Sequence, residues 1–126
     1  MTVTVHHLNN SRSQRILWLL EELNTDYDIV PYQRDAETNL APPELKQVHP
    51  LGKSPLIEDN GLQVAESGAI IQYLCERHGG GSWLPEADTE DHVRHLEWMQ
   101  FGESSFFVPV MLKLYTGRLG DAAAAL

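Results

Sequence analysis

The chain has 126 residues, 42% hydrophobic and 21% charged, an ordinary globular composition and a length for one domain or one domain plus part of another. Nine basic against eighteen acidic residues give a formal charge of −9, which argues against nucleic acid or an anionic membrane as the main partner, since both want a basic surface. The single cysteine, Cys75, excludes an internal disulfide framework and a Cys-x-x-Cys redox centre. No apolar run approaches the ~20 residues needed to span a bilayer, and no basic-then-apolar leader opens the chain, so a cytoplasmic location is expected.

Residues 2–8 (Thr-Val-Thr-Val-His-His-Leu) alternate and are rich in β-branched side chains, which predicts a strand. Asn9, Asn10 and Ser11 break that pattern, and Ile16, Leu19, Leu20 and Leu23 then recur with helical period up to a stop at Asn24. Tyr27 to Tyr32 reads as a second strand, with Pro31 marking an edge, and completes a βαβ unit. A polar loop (33–41) leads to a short helix from about Pro43 to Val48, which Pro50-Leu51-Gly52 ends. Residues 55–58 form a strand, Asp59-Asn60-Gly61 a hairpin turn and 62–64 the return strand. A helix from Ser67, with Ile70, Tyr73 and Leu74 on one face, runs to Gly79-Gly80-Gly81.

The order βαβ, short helix, ββα is that of an α/β thioredoxin-like domain, assigned to 1–79. Residues 80–88 read as a linker, and 89–126 as the start of an all-helical domain in which Pro109 is expected to kink or interrupt the helix. The final Gly120-Asp121 and four alanines read as the opening of a further helix, so the second domain is expected to be truncated.

Three short motifs carry chemistry, each with a plain structural reading beside it. Ser11 and Gln14 have the spacing of a capping box. Alternatively, the Ser11 hydroxyl lies at the positive end of a helix and donates to a thiolate; such a bond is worth ~1.5–3 kcal/mol, or about one to two pKa units. In Gly52-Lys53-Ser54-Pro55, a proline opening a strand is ordinary; a cis bond would instead turn the Ser54 backbone outward to pair with an extended peptide. Lys53 reads as a solvated charge or a carboxylate partner. Ser67 reads as an N-cap, or as part of a carboxylate site at a helix N-terminus, with Glu66 beside it for an ammonium.

Other candidates have plainer readings. His92 and His95 share a helix face without a third ligand, so no metal is expected there. His6 and His7 point to opposite faces of a strand. Cys75 is read as a packing residue, and Trp18 and Trp83 as core or linker anchors.

Together the motifs resemble those of one family. Leu8 to Leu23 (Leu-Asn-Asn-Ser-Arg-Ser-Gln-Arg-Ile-Leu-Trp-Leu-Leu-Glu-Glu-Leu) resembles the first helix of bacterial and fungal glutathione S-transferases. His49-Pro50-Leu51-Gly52-Lys53-Ser54-Pro55-Leu56 resembles the family's cis-proline segment, and Val64-Ala65-Glu66-Ser67-Gly68-Ala69-Ile70 its glutamate-serine motif. The resemblance implies that Glu66 and Ser67 bind the γ-glutamyl head of glutathione. It further implies that the Ser54 backbone, ahead of a cis Pro55, pairs with the cysteinyl unit and that Lys53 approaches the glycine carboxylate. Ser11 matches the position of the thiol-activating serine, with Asn10 and Ser13 as neighbouring alternatives and Arg12 as an assisting charge. Glutathione is then the co-substrate, a small electrophile the second substrate, and no metal or redox cofactor is called for; a homodimer and a detoxifying conjugation are the family's expectations. Two alternatives stand beside the enzyme: a glutathione-binding module without turnover, and a protein-interaction domain using the apolar residues Trp98, Phe101, Phe106, Phe107, Met111 and Leu112.

Overall fold

The computed structural model describes residues 2–125. It divides into two compact units, one running to Trp83 and the other from Leu84. In the first, β1 (Val3–Leu8), α1 (Ser13–Glu22) and β2 (Tyr27–Tyr32) make a right-order βαβ unit with parallel strands. A single turn of helix, α2 (Leu45–Val48), precedes the hairpin of β3 (Leu56–Asp59) and β4 (Leu62–Ala65), and α3 (Ser67–His78) closes the unit. The four-stranded sheet has the order β2-β1-β3-β4, with β3 antiparallel to both neighbours. This is the thioredoxin-like arrangement that the order of elements predicts.

Period-two alternation puts Val3 and Val5 on one face of β1, where they meet Ile57 of β3. Ile16 and Leu20 of α1 and Ile70 and Leu74 of α3 cover that face, and all seven side chains are fully buried. Burying each is worth about 1.5–3 kcal/mol. The hairpin turns at Asn60 and Gly61, whose φ of 51° and 80° are the positive pair that a two-residue turn needs to follow the strand twist.

A polar network locks the far end of this unit. Asp59, 2% exposed, takes a hydrogen bond from Tyr73 Oη at 3.1 Å and one from Asn60 Nδ2 at 2.9 Å, and pairs with His78 Nε2 at 2.9 Å. The end of β3 is thereby fastened to the last turns of α3. Burial, and then the Asp59 carboxylate, push the Tyr73 phenol above its ordinary value. Cys75 is buried on the same helix, and that burial likewise raises its thiol.

The second unit holds α4 (Glu90–Gln100), a π-helical stretch (Phe101–Phe106), α5 (Phe107–Arg118) and a 3₁₀ stretch (Gly120–Ala125). Thr89 caps α4, its hydroxyl accepting from His92 N at 3.2 Å, and Glu90 and Asp91 in the first turn complement the helix dipole. The interruption expected from Pro109 takes the form of the wider turns at 101–106 just ahead of it. Phe106 and Phe107 are helical, so Pro109 falls within a continuous helix, and its ring crowds the carbonyl four residues earlier, inside that wider stretch. Among the aromatic residues here, Trp98 meets Phe101 edge-on with centroids 5.5 Å apart, and Trp98, Phe101, Phe106 and Leu112 are exposed. No helix among the described residues is long and apolar enough to cross a membrane.

Candidate functional site

Strand directions decide which loops meet. The Cα register pairs His6 with Leu56 and Leu56 with Ala65, so the end of β1, the start of β3 and the end of β4 lie side by side at one edge. The segments that follow or precede them, 9–13, 53–55 and 66–67, carry every candidate site residue of the three motifs. Adjacent strands are about 4.8 Å apart, so from β1 to β4 these segments span roughly 10 Å.

The first segment turns at Asn10, with φ of 50°, and delivers Ser11 half-buried in front of α1. The Ser11-Gln14 capping box does not form. Arg12 holds the cap position without a side-chain capping bond, and the Ser11 hydroxyl instead accepts the Ser13 N–H at 3.2 Å. Main-chain bonds to the Ser11 and Arg12 carbonyls already engage the Gln14 and Arg15 amides, which leaves the nearer amide for the hydroxyl. Ser13 is fully buried, so of the two serines only Ser11 is open to a ligand. Ser13 Oγ lies 2.7 Å from Ser11 Oγ and 2.8 Å from His7 Nδ1.

Arg34, in the loop after β2, braces this turn from outside the motifs. Its Nε donates to the Asn9 carbonyl at 3.0 Å, Nη2 to the Asn10 carbonyl at 3.1 Å and Nη1 to the Asn39 carbonyl at 2.9 Å. Neither Arg34 nor His7 is marked out by local sequence. The alternation Val3, Val5, His7 is the one signal that puts His7 on the α1 side of the sheet.

The second segment begins at Gly52, whose φ is 56° and where a Cβ would stand 2.5 Å from Lys46 Cγ; only glycine fits. The Ser54–Pro55 bond is cis, Pro55 is buried and Lys53 is exposed. The Ser54 side chain stitches this turn to β1, its Oγ donating to the His6 carbonyl at 2.8 Å and accepting from Leu8 N at 3.3 Å. Among the described residues, the Ser54 main-chain amide and carbonyl enter none of the loop hydrogen bonds.

At the third segment the expected capping role of Ser67 is corrected. Glu66 occupies the cap position of α3, with φ of 71° and ψ of 124°, and its carbonyl accepts the first helical bond from Ile70 N at 2.9 Å. Ser67 is the first helical residue and 5% exposed. A helix leaves its first amides without intrahelical partners, so those of 67–69 form a donor cluster beside the hydroxyl. A left-handed backbone at a non-glycine residue costs of order 1–3 kcal/mol, and such strain gathers at ligand clamps.

Lys53, Ser54, Pro55, Glu66, Ser67 and Ser11 are thus brought to one edge, with Asn10 and Arg12 flanking Ser11 and Ser13 behind it. Among the described residues no group of three or more His, Cys, Asp or Glu side chains gathers as a metal site.

The edge thus combines a thioredoxin-like sheet with a cis proline ahead of β3 and the start of a helix after β4. Residues 1–76 match the family model of the glutathione S-transferase N-terminal domain. The chain is 40% identical over 128 residues to glutathione S-transferase 1 of Saccharomyces cerevisiae, an alignment covering 95% of this chain and 53% of that protein. A crystal structure of a glutathione S-transferase from Actinobacillus pleuropneumoniae superposes with a TM-score of 0.83 at 38% identity, over 98% of this chain and 59% of that one. A theta-class glutathione S-transferase from Xanthomonas axonopodis pv. citri, solved with glutathione bound, gives 0.68 at 25% identity over 83% and 50% of the two chains. The chain belongs to the glutathione S-transferase family. It spans about half the length of the curated relatives it matches.

Proposed function

We propose that this chain binds glutathione along the edge where β1 and β4 end and β3 begins, and activates its thiol for attack on a small electrophile. The observation that carries the reading is the convergence of three segments, far apart in sequence, each with the chemistry for one part of the tripeptide. Glu66 with Ser67 and the opening amides of α3 suit a head group carrying an ammonium and a carboxylate. The Ser54 main chain, presented by the cis Ser54–Pro55 turn, suits pairing with the cysteinyl backbone. Lys53 suits the terminal carboxylate.

In this reading Ser11 donates to the sulfur at the positive end of α1. The Ser13 N–H already points at its oxygen at 3.2 Å, and on this reading its own proton is the group left for a ligand. A charge-assisted bond of about 1.5–3 kcal/mol lowers a thiol pKa by about one to two units, bringing it from ~8.5 to near neutrality. The nucleophile is the thiolate of the co-substrate itself, so the protein supplies acidity and position. On the same reading the enzyme is a homodimer, with the electrophile held by helical elements.

Titrating the chain with glutathione while following ultraviolet thiolate absorbance against pH tests the proposal. Saturable binding with a lowered thiol pKa is expected, with Glu66→Ala weakening binding and Ser11→Ala restoring the pKa toward that of free glutathione. Binding with an unshifted thiol leaves the module without turnover as the better account, and no binding by a folded chain overturns both.

A further inference from the structure

We infer that His7 is a positioning residue that fixes the direction in which the Ser11 hydroxyl donates, acting through the buried Ser13; this rests on the reading of Ser11 as the thiolate donor. The three side chains form a continuous relay: His7 Nδ1 to Ser13 Oγ at 2.8 Å, and Ser13 Oγ to Ser11 Oγ at 2.7 Å. Each hydroxyl has a single proton to give, so the direction of one bond dictates the next. Ser13 Oγ has a third neighbour, the Leu8 carbonyl, which can only accept and at 3.3 Å competes more weakly for the Ser13 proton than the 2.7 Å contact to Ser11.

Consider first a His7 ring that presents a bare Nδ1. Ser13 then spends its one proton on the ring, and the 2.7 Å contact has to be made by the Ser11 proton pointing inward. Ser11 is left with nothing to donate to a ligand. With a proton on His7 Nδ1, the relay runs the other way. His7 donates to Ser13, Ser13 donates to Ser11, and the Ser11 proton is free to point outward. Ser11 Oγ then accepts from both the Ser13 hydroxyl and the Ser13 N–H, the latter at 3.2 Å, and a hydroxyl that accepts in this way is a stronger donor.

The surroundings keep the choice from being averaged away. Ser13 is fully buried, so bulk water cannot replace His7 as its donor. The strand alternation sends the other histidine elsewhere: His6 bonds Tyr32 Oη through Nδ1 at 2.9 Å and lies 3.5 Å from Glu58 through Nε2. His7 is therefore the ring whose proton placement reaches Ser11, by way of a helix residue six positions on in sequence.

The test compares the thiol pKa of bound glutathione, read by ultraviolet absorbance, in the wild-type chain and in Ser11→Ala, Ser13→Ala, His7→Phe and His7→Asn. An asparagine Nδ2 can stand where His7 Nδ1 donates; a phenylalanine cannot. His7→Phe should raise the thiol pKa by about half a unit to one unit while glutathione affinity changes by less than about twofold. His7→Asn should return it most of the way to the wild-type value. The effect of His7→Phe should vanish when Ser13 is already alanine, since the relay is then cut. If Ser11→Ala raises the thiol pKa and His7→Phe does not, the inference is overturned and the role of Ser11 stands. If Ser11→Ala has no effect, the reading beneath it fails as well. Nitrogen-15 spectra of the His7 ring give an answer independent of how the variants fold: a proton on Nδ1 supports the relay, and a proton confined to Nε2 refutes it.

Discussion

Arg34 and Asn9 are 25 residues apart in sequence and joined twice, once from the Arg34 N–H to Asn9 Oδ1 at 2.8 Å and once from Arg34 Nε to the Asn9 carbonyl at 3.0 Å. The guanidinium also reaches the Asn10 and Asn39 carbonyls, so one side chain ties the loop after β2 to the turn that presents Ser11. Replacing Arg34 by Ala should lower the unfolding free energy by about 2 kcal/mol and weaken glutathione binding together. Lysine should recover less than half of the loss, because an ammonium lacks the planar fork that reaches several carbonyls. Urea unfolding of the two variants measures both effects, and equal stabilities for Ala and Lys would contradict this account.

Asp59 offers a second measurement, remote from the ligand edge. Its carboxylate is the shared acceptor for Tyr73, Asn60 and His78, and removing it leaves the tyrosine hydroxyl and the imidazole without that partner. Asp59→Ala is expected to cost about 2–4 kcal/mol in denaturant unfolding, and Tyr73→Phe about 1 kcal/mol. Glutathione binding by the folded fraction of either variant should change little.

Glu66 separates stability from binding. With φ of 71°, its backbone is more easily adopted by glycine than by any side-chain-bearing residue. Glu66→Gly should therefore match or exceed the wild type in thermal stability, by up to about 1 kcal/mol, while Glu66→Ala keeps the strain. Both should lose glutathione affinity, because both lose the carboxylate. A destabilised glycine variant would show that the conformation is not strained in the way argued here.

Alkaline stability follows from burial. The thiol of Cys75 and the phenols of Tyr32 and Tyr73 are each raised, foremost by burial, so the folded state prefers their neutral forms. The stability this represents is complete below the unfolded values, ~8.5 for a thiol and ~10 for a phenol, and is lost as pH climbs through the raised ones. Melts between pH 7 and 11 should show a falling midpoint from about pH 9 upward. Cys75→Ala should flatten the first part of that fall, and the native Cys75 should resist thiol reagents at pH 8.

Most of the fold was legible where a local rule coincided with the tertiary result. Val3 and Val5, Ile16 and Leu20, and the Asn60-Gly61 turn each follow from a period or a turn rule that needs no distant partner. Capping was harder to read. Ser11 and Ser67 have the residue types of caps, yet one hydroxyl serves the Ser13 amide and the other belongs to the first helical residue, because main-chain carbonyls already engage the Gln14 and Arg15 amides of α1 and Glu66 holds the cap position of α3. The break expected from Pro109 falls in the turn just upstream of it, and its π-helical form at 101–106 has no local signature. The candidate edge was found by resemblance of its motifs, while its bracing was not: Arg34 comes from the loop after β2, which only the β1–β2 register brings in, and His7 meets Ser13 by facing α1.

The hairpin between β3 and β4 acts as a gauge for the ligand edge. Leu56 opposite Ala65 fixes Pro55 beside Glu66, and that pairing is counted out from a two-residue turn at the other end. One residue inserted between Asn60 and Gly61 would offset every later pairing and turn each β4 side chain to the wrong face. The loop at 33–41 is held at Arg34 and Asn39, and away from them it stands under no such constraint. Length variation near the candidate edge is thus tolerable in the longer loop away from Arg34 and disruptive in the shortest one, although the shortest one lies at the opposite end of the hairpin.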